Sequence, residues 1–215
     1  MKKYVILLGG AITPTPRLIA QCQNATVIAA DSGVRHASAL GLEVALWLGD
    51  FDSTSPALLR KFKHLPRETF PREKDKTDGE IAINEAISQG ATDLILVGAF
   101  GGPRTDHALL HLAQAISLSK LGLKITLTSG DEEAYPLSSA AQDFTFPIRS
   151  VFSVIGFTAL FGVTITGARW PLTNCDVPFG SSMTLSNEVA GELKLGVNSG
   201  NAILLVSFIT NSITG

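Results

Sequence analysis

The sequence predicts an α/β domain built on a doubly wound, mostly parallel sheet, followed by a small all-β sandwich or barrel. Three observations carry this. Residues 1–132 hold 28 of the 36 charged side chains, and the remainder of the 215-residue chain is charge-poor. The charged part alternates short apolar runs with helix-like runs, the pattern of a parallel sheet covered on both faces. The charge-poor part has short apolar runs separated by Gly, Asn, Pro and Ser, the pattern of an antiparallel sandwich or barrel. The transition falls between Gly130 and Thr145, which gives domains 1–135 and 136–215.

The elements follow in order. Strands are expected at 4–8, 26–30, 44–48, 94–99 and 124–128, with a short one near Thr69. Helical patterns lie between them, among them one running from Thr77 through Gln89 and one at 108–120. The second part offers strands at 151–155, 163–166, 183–186, 193–197 and 202–208.

Composition excludes several classes. With 45% apolar and 17% charged residues the chain is not intrinsically disordered. A net charge of -2 argues against nucleic-acid binding. The uncharged stretches 150–168 and 195–215 approach bilayer-spanning length. Their Thr, Ser, Gly and Asn content reads instead as strands of a protein with no membrane segment. Lys2 and Lys3 precede an apolar run that stops at Gly9-Gly10, which reads as a first strand rather than a signal peptide. Cys22 and Cys175 form no metal-binding spacing and are expected to be reduced, as in a cytoplasmic protein.

Chemistry-bearing residues sit at the strand ends. Gly49-Asp50-Phe51-Asp52-Ser53 directly follows the run at 44–48. Residues i and i+2 of an extended chain face the same way, so Asp50 and Asp52 present two carboxylates on one side. Open α/β sheets bind ligands outside the carboxyl ends of their strands. Converging carboxylates repel unless a cation or a shared proton lies between them, and Mg2+ takes hard oxygen ligands and recruits phosphates. A plain turn accounts for Asp and Ser here as well.

A second acidic stretch is Lys74-Asp75-Lys76-Thr77-Asp78-Gly79-Glu80. Thr77 and Glu80 form a capping box, which puts Asp78 in the first helical turn, where the helix dipole favours a carboxylate. Capping leaves Lys74, Asp75 and Lys76 unexplained; lysines around acids suit a place where phosphate and metal charge meet. The third stretch, 98–107, joins glycines to Arg104, Asp106 and His107 at a helix start. Glycines permit close backbone approach, the helix start offers N–H groups to an anion, and the Arg104 fork suits a phosphate. Asp106 caps the helix or holds Arg104. The alternative is a Gly-rich turn with an N-cap, since neither GxGxxG nor a Walker-A sequence is present. His107 and His111 are spaced i, i+4 without a third ligand nearby, which favours helix-face residues over a zinc pair. Ala30-Asp31-Ser32-Gly33 ends another strand and directs Asp31 toward the same crevice. Together these strand ends suggest a Mg2+–polyphosphate site.

The order ADSG, GDFDS, KDKTD and GG-x-R-x-DH, followed by a charge-poor β domain, resembles the thiamine pyrophosphokinase (thiamine diphosphokinase) family. Gly167-Ala168-Arg169-Trp170-Pro171-Leu172 is similar to its Gly-Leu-Lys-Trp/Tyr-Pro-Leu segment, and Ser186-Asn187-Glu188 to its Ser-Asn-Glu. The resemblance spans about residues 28–206. It implies transfer of the pyrophosphoryl group of ATP to the thiamine hydroxyl, giving thiamine diphosphate and AMP. It also implies a homodimer whose active sites form between the α/β domain of one subunit and the β domain of the other. By motif, Asp50, Asp52 and Asp78 hold Mg2+ and carry catalysis, with Asp31 close by. Lys74, Asp75, Arg104, Asp106 and His107 bind ATP alongside Asp31, and Trp170, Ser186 and Asn187 form the thiamine pocket. Two positions depart from the pattern: Ser32 stands where the family has Gly, and Pro103 intervenes before Arg104. The residues also admit a metal-dependent nucleotide-sugar transferase, which uses a DxD pair, and a non-catalytic thiamine or nucleotide sensor on the same scaffold.

Overall fold

The computed structural model describes residues 1–52, 54–71 and 75–208. The chain divides into two compact units, Met1–His111 with Gly122–Gly130, and Leu112–Leu121 with the residues from Asp131 on.

The first unit carries β1 (Lys3–Leu7), α1 (Pro16–Cys22), β2 (Thr26–Ala30), α2 (His36–Leu40), β3 (Leu46–Gly49), α3 (Pro56–Lys61), β4 (Arg67–Thr69), α4 (Asp78–Ser88), β5 (Asp93–Val97) and β6 (Lys124–Thr128). Helix α5 (Thr105–Ser119) follows β5, and a 3-10 turn, Asp31–Arg35, joins β2 to α2. The strands lie within two residues of their expected positions, and α5 begins already at Thr105. All pairings are parallel, in the order β6-β5-β1-β2-β3-β4. Helix starts follow from local chemistry. Thr15, Ser55 and Thr77 accept the N–H of Leu18, Leu58 and Glu80, with Pro16 and Pro56 preset for the first turn.

Strand residues are buried on both faces. Val5, Leu7, Val27, Ala29, Trp47, Ile95 and Val97 share a core with Leu18, Ala37, Leu40 and Phe62. The alternate residues Ile6, Ile28, Leu48, Leu94 and Leu96 are equally buried, and α4 packs on β1, β2 and β3. This is why the strands read as continuous apolar runs. The chain leaves β1 toward β2 on one side and returns as β5 on the other, so the crevice between β1 and β5 is the topological switch point.

The second unit is antiparallel: β7 (Glu132–Leu137), β8 (Gln142–Phe144), β9 (Val151–Gly156), β10 (Leu160–Ala168), β11 (Leu172–Val177), β12 (Asn187–Gly196) and β13 (Ala202–Ser207). The pairing order is β7-β13-β9-β12-β10-β11, with β8 also on β12. Phe152, Val154, Leu160, Ile165, Val189, Leu195 and Leu204 fill its core.

Two expectations change here. Segment 183–186 is a turn, not a strand. Ser186 is left-handed (φ 55°), Leu185 N–H bonds Ser182 O at 3.1 Å, and the Thr184 hydroxyl bonds Val154 O at 2.7 Å. Strands β7, β8 and β11 were not expected, because Glu, Pro, Gln, Asn and Asp interrupt their apolar pattern. Among the described residues no helix is long and apolar enough to cross a membrane.

Candidate functional site

The switch point opens into a cleft of about 430 Å3 in the first unit. Its floor is the backbone leaving β1 and β5. Leu8 N–H bonds Val97 O at 2.8 Å and Gly10 N–H bonds Gly98 O at 3.0 Å. Glycine is required where these loops touch. A Cβ on Gly10 would lie 2.4 Å from Gly98 O, and one on Gly33 would lie 2.2 Å from Leu7 O. The adjacent strand ends supply Asp31, Ser32 and Asp50, and the start of α4 supplies Lys76, Thr77, Asp78 and Gly79.

Among the described residues, Asp31, Asp50 and Asp78 bring carboxylate oxygens within 4.8 Å of one another, and all three are half-buried. Each arrives by a different device. Asp31 follows β2 in the left-handed region (φ 44°), its carbonyl accepts the Trp47 indole N–H at 2.8 Å, and its carboxylate accepts the Thr54 hydroxyl. Asp50 leaves β3 after Gly49. Asp78 opens α4 behind its Thr77 cap. Octahedral Mg2+ places neighbouring oxygens about 3 Å apart and opposite ones about 4.2 Å apart. Three hard oxygen donors held within 4.8 Å therefore fit that ion with small side-chain adjustment.

Asp52 does not join them. Phe51 is left-handed (φ 61°), so the chain from 50 to 52 is not extended and the i, i+2 rule fails. Asp52 is exposed, and its amide N–H donates to Asp50 Oδ1 at 3.0 Å. The structure thus puts Asp31 where the spacing suggested Asp52.

Arg104, His107 and His111 also line the cleft. Arg104 and Asp106 form a two-bond ion pair at 2.9 and 2.6 Å. The hydrogen bond from Arg104 holds the Asp106 carboxyl well below the usual carboxylate range. Asp106 therefore orients Arg104, one of its two expected uses, and Arg104 reaches the cleft despite Pro103. His111 is buried, its Nδ1 faces Ala99 O at 2.8 Å, and burial pushes its pKa down. His107 packs edge-on against it, 6.2 Å between centroids. Asp75 is exposed and does not line the cleft, whereas its neighbour Lys76 does. Lys74 and Ser53 lie outside the described residues. Lys76, read from the sequence as part of a place where phosphate and metal charge meet, does line the cleft; Gly9, Gly10 and His111 were not singled out as cleft residues, although two successive glycines at a strand exit were the available signal for the first pair.

In the second unit Trp170 follows β10 and is half-exposed, with the Arg169 guanidinium 4.6 Å from its ring centre. Arg169 is held in turn by Glu188 at 2.9 Å. Asn187 is buried. Its Oδ1 accepts Trp170 N–H at 3.1 Å and its Nδ2 donates to Trp170 O at 2.7 Å. Ser186 is exposed beside it, its N–H bonded to Ser153 Oγ at 3.0 Å. Trp170, Ser186 and Asn187 are thus brought together, with the Asn187 amide spent on the Trp170 backbone.

Two family models match the chain. Residues 18–127 match the family model "Thiamin pyrophosphokinase, catalytic domain", and residues 144–204 match "Thiamin pyrophosphokinase, vitamin B1 binding domain". Over 194 residues the chain is 28% identical to thiamine pyrophosphokinase of Bacillus subtilis (strain 168), covering 88% of this chain and 90% of the relative. Its fold is similar to the crystal structure of thiamine pyrophosphokinase from Bacillus subtilis, with TM-score 0.84, 24% identity, and 97% and 100% of the two chains covered. It is also similar to the solved structure of thiamin pyrophosphokinase from Candida albicans, with TM-score 0.76, 11% identity, and 96% and 88% covered.

Proposed function

Since the chain belongs to the thiamine pyrophosphokinase family, we propose that its switch-point cleft binds ATP with Mg2+ and that Trp170 and Ser186 contact thiamine. The observation that carries this reading is the convergence of Asp31, Asp50 and Asp78 from three separate segments. These carboxylates hold the cation directly. Asp52, whose amide N–H donates to Asp50 Oδ1, would help hold Asp50 in place for the cation. Arg104, oriented by Asp106, binds the polyphosphate with Lys76 and His107. Lys74 keeps the ATP-binding role that the family motif implies, whereas Asp75, outside the cleft lining, is left without one.

The reaction joins the thiamine hydroxyl oxygen to the β-phosphorus and breaks the bond between that phosphorus and the bridging oxygen to the α-phosphorus. The bond electrons leave with AMP, and the hydroxyl proton is released. Bound Mg2+ supplies neutralisation of charge on the transferred oxygens. The chain supplies position. The carboxylates fix the polyphosphate, the glycine backbones allow it close approach, and Arg104 donates its planar fork. In the second unit Asn187 fixes the Trp170 backbone, so that the indole presents a face to an aromatic or cationic ring.

A nucleotide-sugar transferase gives way to the family match, and nothing in the cleft favours a sensor. The working form is a cytoplasmic homodimer with active sites shared between subunits. Exposed Ile155, Phe179, Met183 and Leu185 on the second unit are consistent with a covered face. Incubating purified protein with ATP, Mg2+ and thiamine is expected to yield AMP and thiamine diphosphate in equal amounts, and neither without thiamine or after chelation. Formation of ADP, or AMP release without thiamine, overturns this reading.

A further inference from the structure

We propose that Trp47 and Thr54 are positioning residues that clamp Asp31 into the acidic group. The inference rests on the reading of that group as the cation site. Asp31 sits in the left-handed region, where a side chain with a Cβ is disfavoured unless its surroundings fix it. Here they fix both ends. The indole N–H of Trp47 donates to the Asp31 carbonyl at 2.8 Å, and the hydroxyl of Thr54 donates to the Asp31 carboxylate. Gly49 removes the side chain that would otherwise meet Asp31 at 3.3 Å.

The donor on Trp47 is itself closely packed. The ring is fully buried in β3, with Phe51 edge-on at 4.9 Å, Phe62 at 6.2 Å and the Arg67 guanidinium 4.7 Å from its centre. Phe51 is the second left-handed residue at the site. One indole therefore braces the backbone on both sides of the group: Asp31 by hydrogen bond, and the Asp50–Asp52 turn through Phe51. Thr54 is buried, and its N–H bonds Phe51 O at 3.2 Å, which ties its hydroxyl to the same turn.

The test measures Mn2+ binding to the full-length protein without nucleotide, by loss of the free-ion resonance signal, in competition with Mg2+. Variants are Asp31→Asn, Trp47→Phe, Thr54→Val and Thr54→Ser, each with a melting curve. Outer partners of metal ligands typically change affinity about 10–100-fold. Trp47→Phe, which keeps a buried ring and loses the N–H, and Thr54→Val are each expected to weaken Mn2+ binding at least about ten-fold. Thr54→Ser restores the hydroxyl and with it the affinity, an outcome that a packing role for Thr54 would not produce. If Asp31→Asn loses Mn2+ while Thr54→Val and folded Trp47→Phe bind as tightly as wild type, the clamp is wrong and the cation site stands. If Asp31→Asn binds Mn2+ normally, the cation reading itself fails. Should Trp47→Phe not fold, the Thr54→Val and Thr54→Ser pair decides.

Discussion

Replacing Asn187 by alanine separates two roles that the motif alone merges. As a thiamine contact, Asn187 would matter to KM and little to stability. As a strut, it matters to both. The structure favours the strut: the amide is 5% exposed and makes three hydrogen bonds, two to the Trp170 backbone and one from Glu188 N–H at 2.9 Å. A net contribution of about 1 kcal/mol per bond predicts a loss of about 2–3 kcal/mol. If the 215-residue chain unfolds as one cooperative unit, that lowers the melting temperature by about 4–12 °C. Asn187→Asp keeps the acceptor, loses the Nδ2 donor and sets a carboxylate against Trp170 O, so it is also expected to destabilise. Trp170→Ala, at a half-exposed site, raises thiamine KM with little change in melting temperature. Melting curves beside thiamine kinetics decide the matter. If Asn187→Ala melts like wild type and only thiamine KM rises, the side chain contacts the ligand and the strut argument is wrong.

Asp50→Asn is expected to reduce turnover at least about a hundredfold by removing a direct cation ligand, and Asp52→Asn distinctly less. Equal losses in steady-state assays would return Asp52 to the inner set. Asp106→Asn frees Arg104 from its ion pair, so ATP KM should rise several-fold while the melting temperature stays put, since both side chains are exposed. An unchanged KM would mean that Asp106 does not orient Arg104 for ATP. His36 and His111 both have pKa values lowered chiefly by burial. The unfolded chain therefore takes up protons first as pH falls below about 6.5, and stability drops from there toward the lower folded-state values. The slope is at most about 1.4 kcal/mol per pH unit for each histidine. Denaturant midpoints between pH 8 and pH 5 should fall accordingly, and less steeply in His111→Asn; a flat profile contradicts the burial argument.

Local features made much of the site readable. Apolar runs ending in Asp or Gly located β1, β2, β3 and β5 to within two residues and marked Asp31 and Asp50. Thr77 and Glu80 announced the start of α4 and with it Asp78. Three things depend on distant contacts and were hidden. The pairing of Asp50 with Asp52 assumes extended backbone, yet Phe51 turns left-handed as it packs on Trp47. The motif around Asn187 identifies the residue but not its direction, which is set by Trp170, 17 residues away. Strands β8 and β11 are polar, so burial on one side leaves little periodic signal. The clamp on Asp31 was equally invisible, because Trp47 within an apolar run reads as core and nothing more.

The acidic group also makes an energetic demand. Two unit charges 4.8 Å apart repel by about 1–3 kcal/mol at effective dielectric constants between those of bulk water and a protein surface. Three such pairs add up to several kcal/mol, a sizeable share of the roughly 5–15 kcal/mol that keeps a domain folded. The clamp and the Thr77 cap hold the carboxylates together against that repulsion, and a divalent cation relieves it. Asp31→Asn keeps an oxygen for Thr54 and a carbonyl for Trp47 but removes two of the three repulsive pairs. The variant without cation is therefore expected to be at least as stable as wild type. Mg2+ at about a hundred times its dissociation constant should stabilise wild type by about 2.7 kcal/mol and the variant by much less. The two melting curves then cross as Mg2+ is titrated. A variant that is less stable without cation, yet gains as much from Mg2+ as wild type, would mean that Asp31 serves the fold and that the cation sits elsewhere.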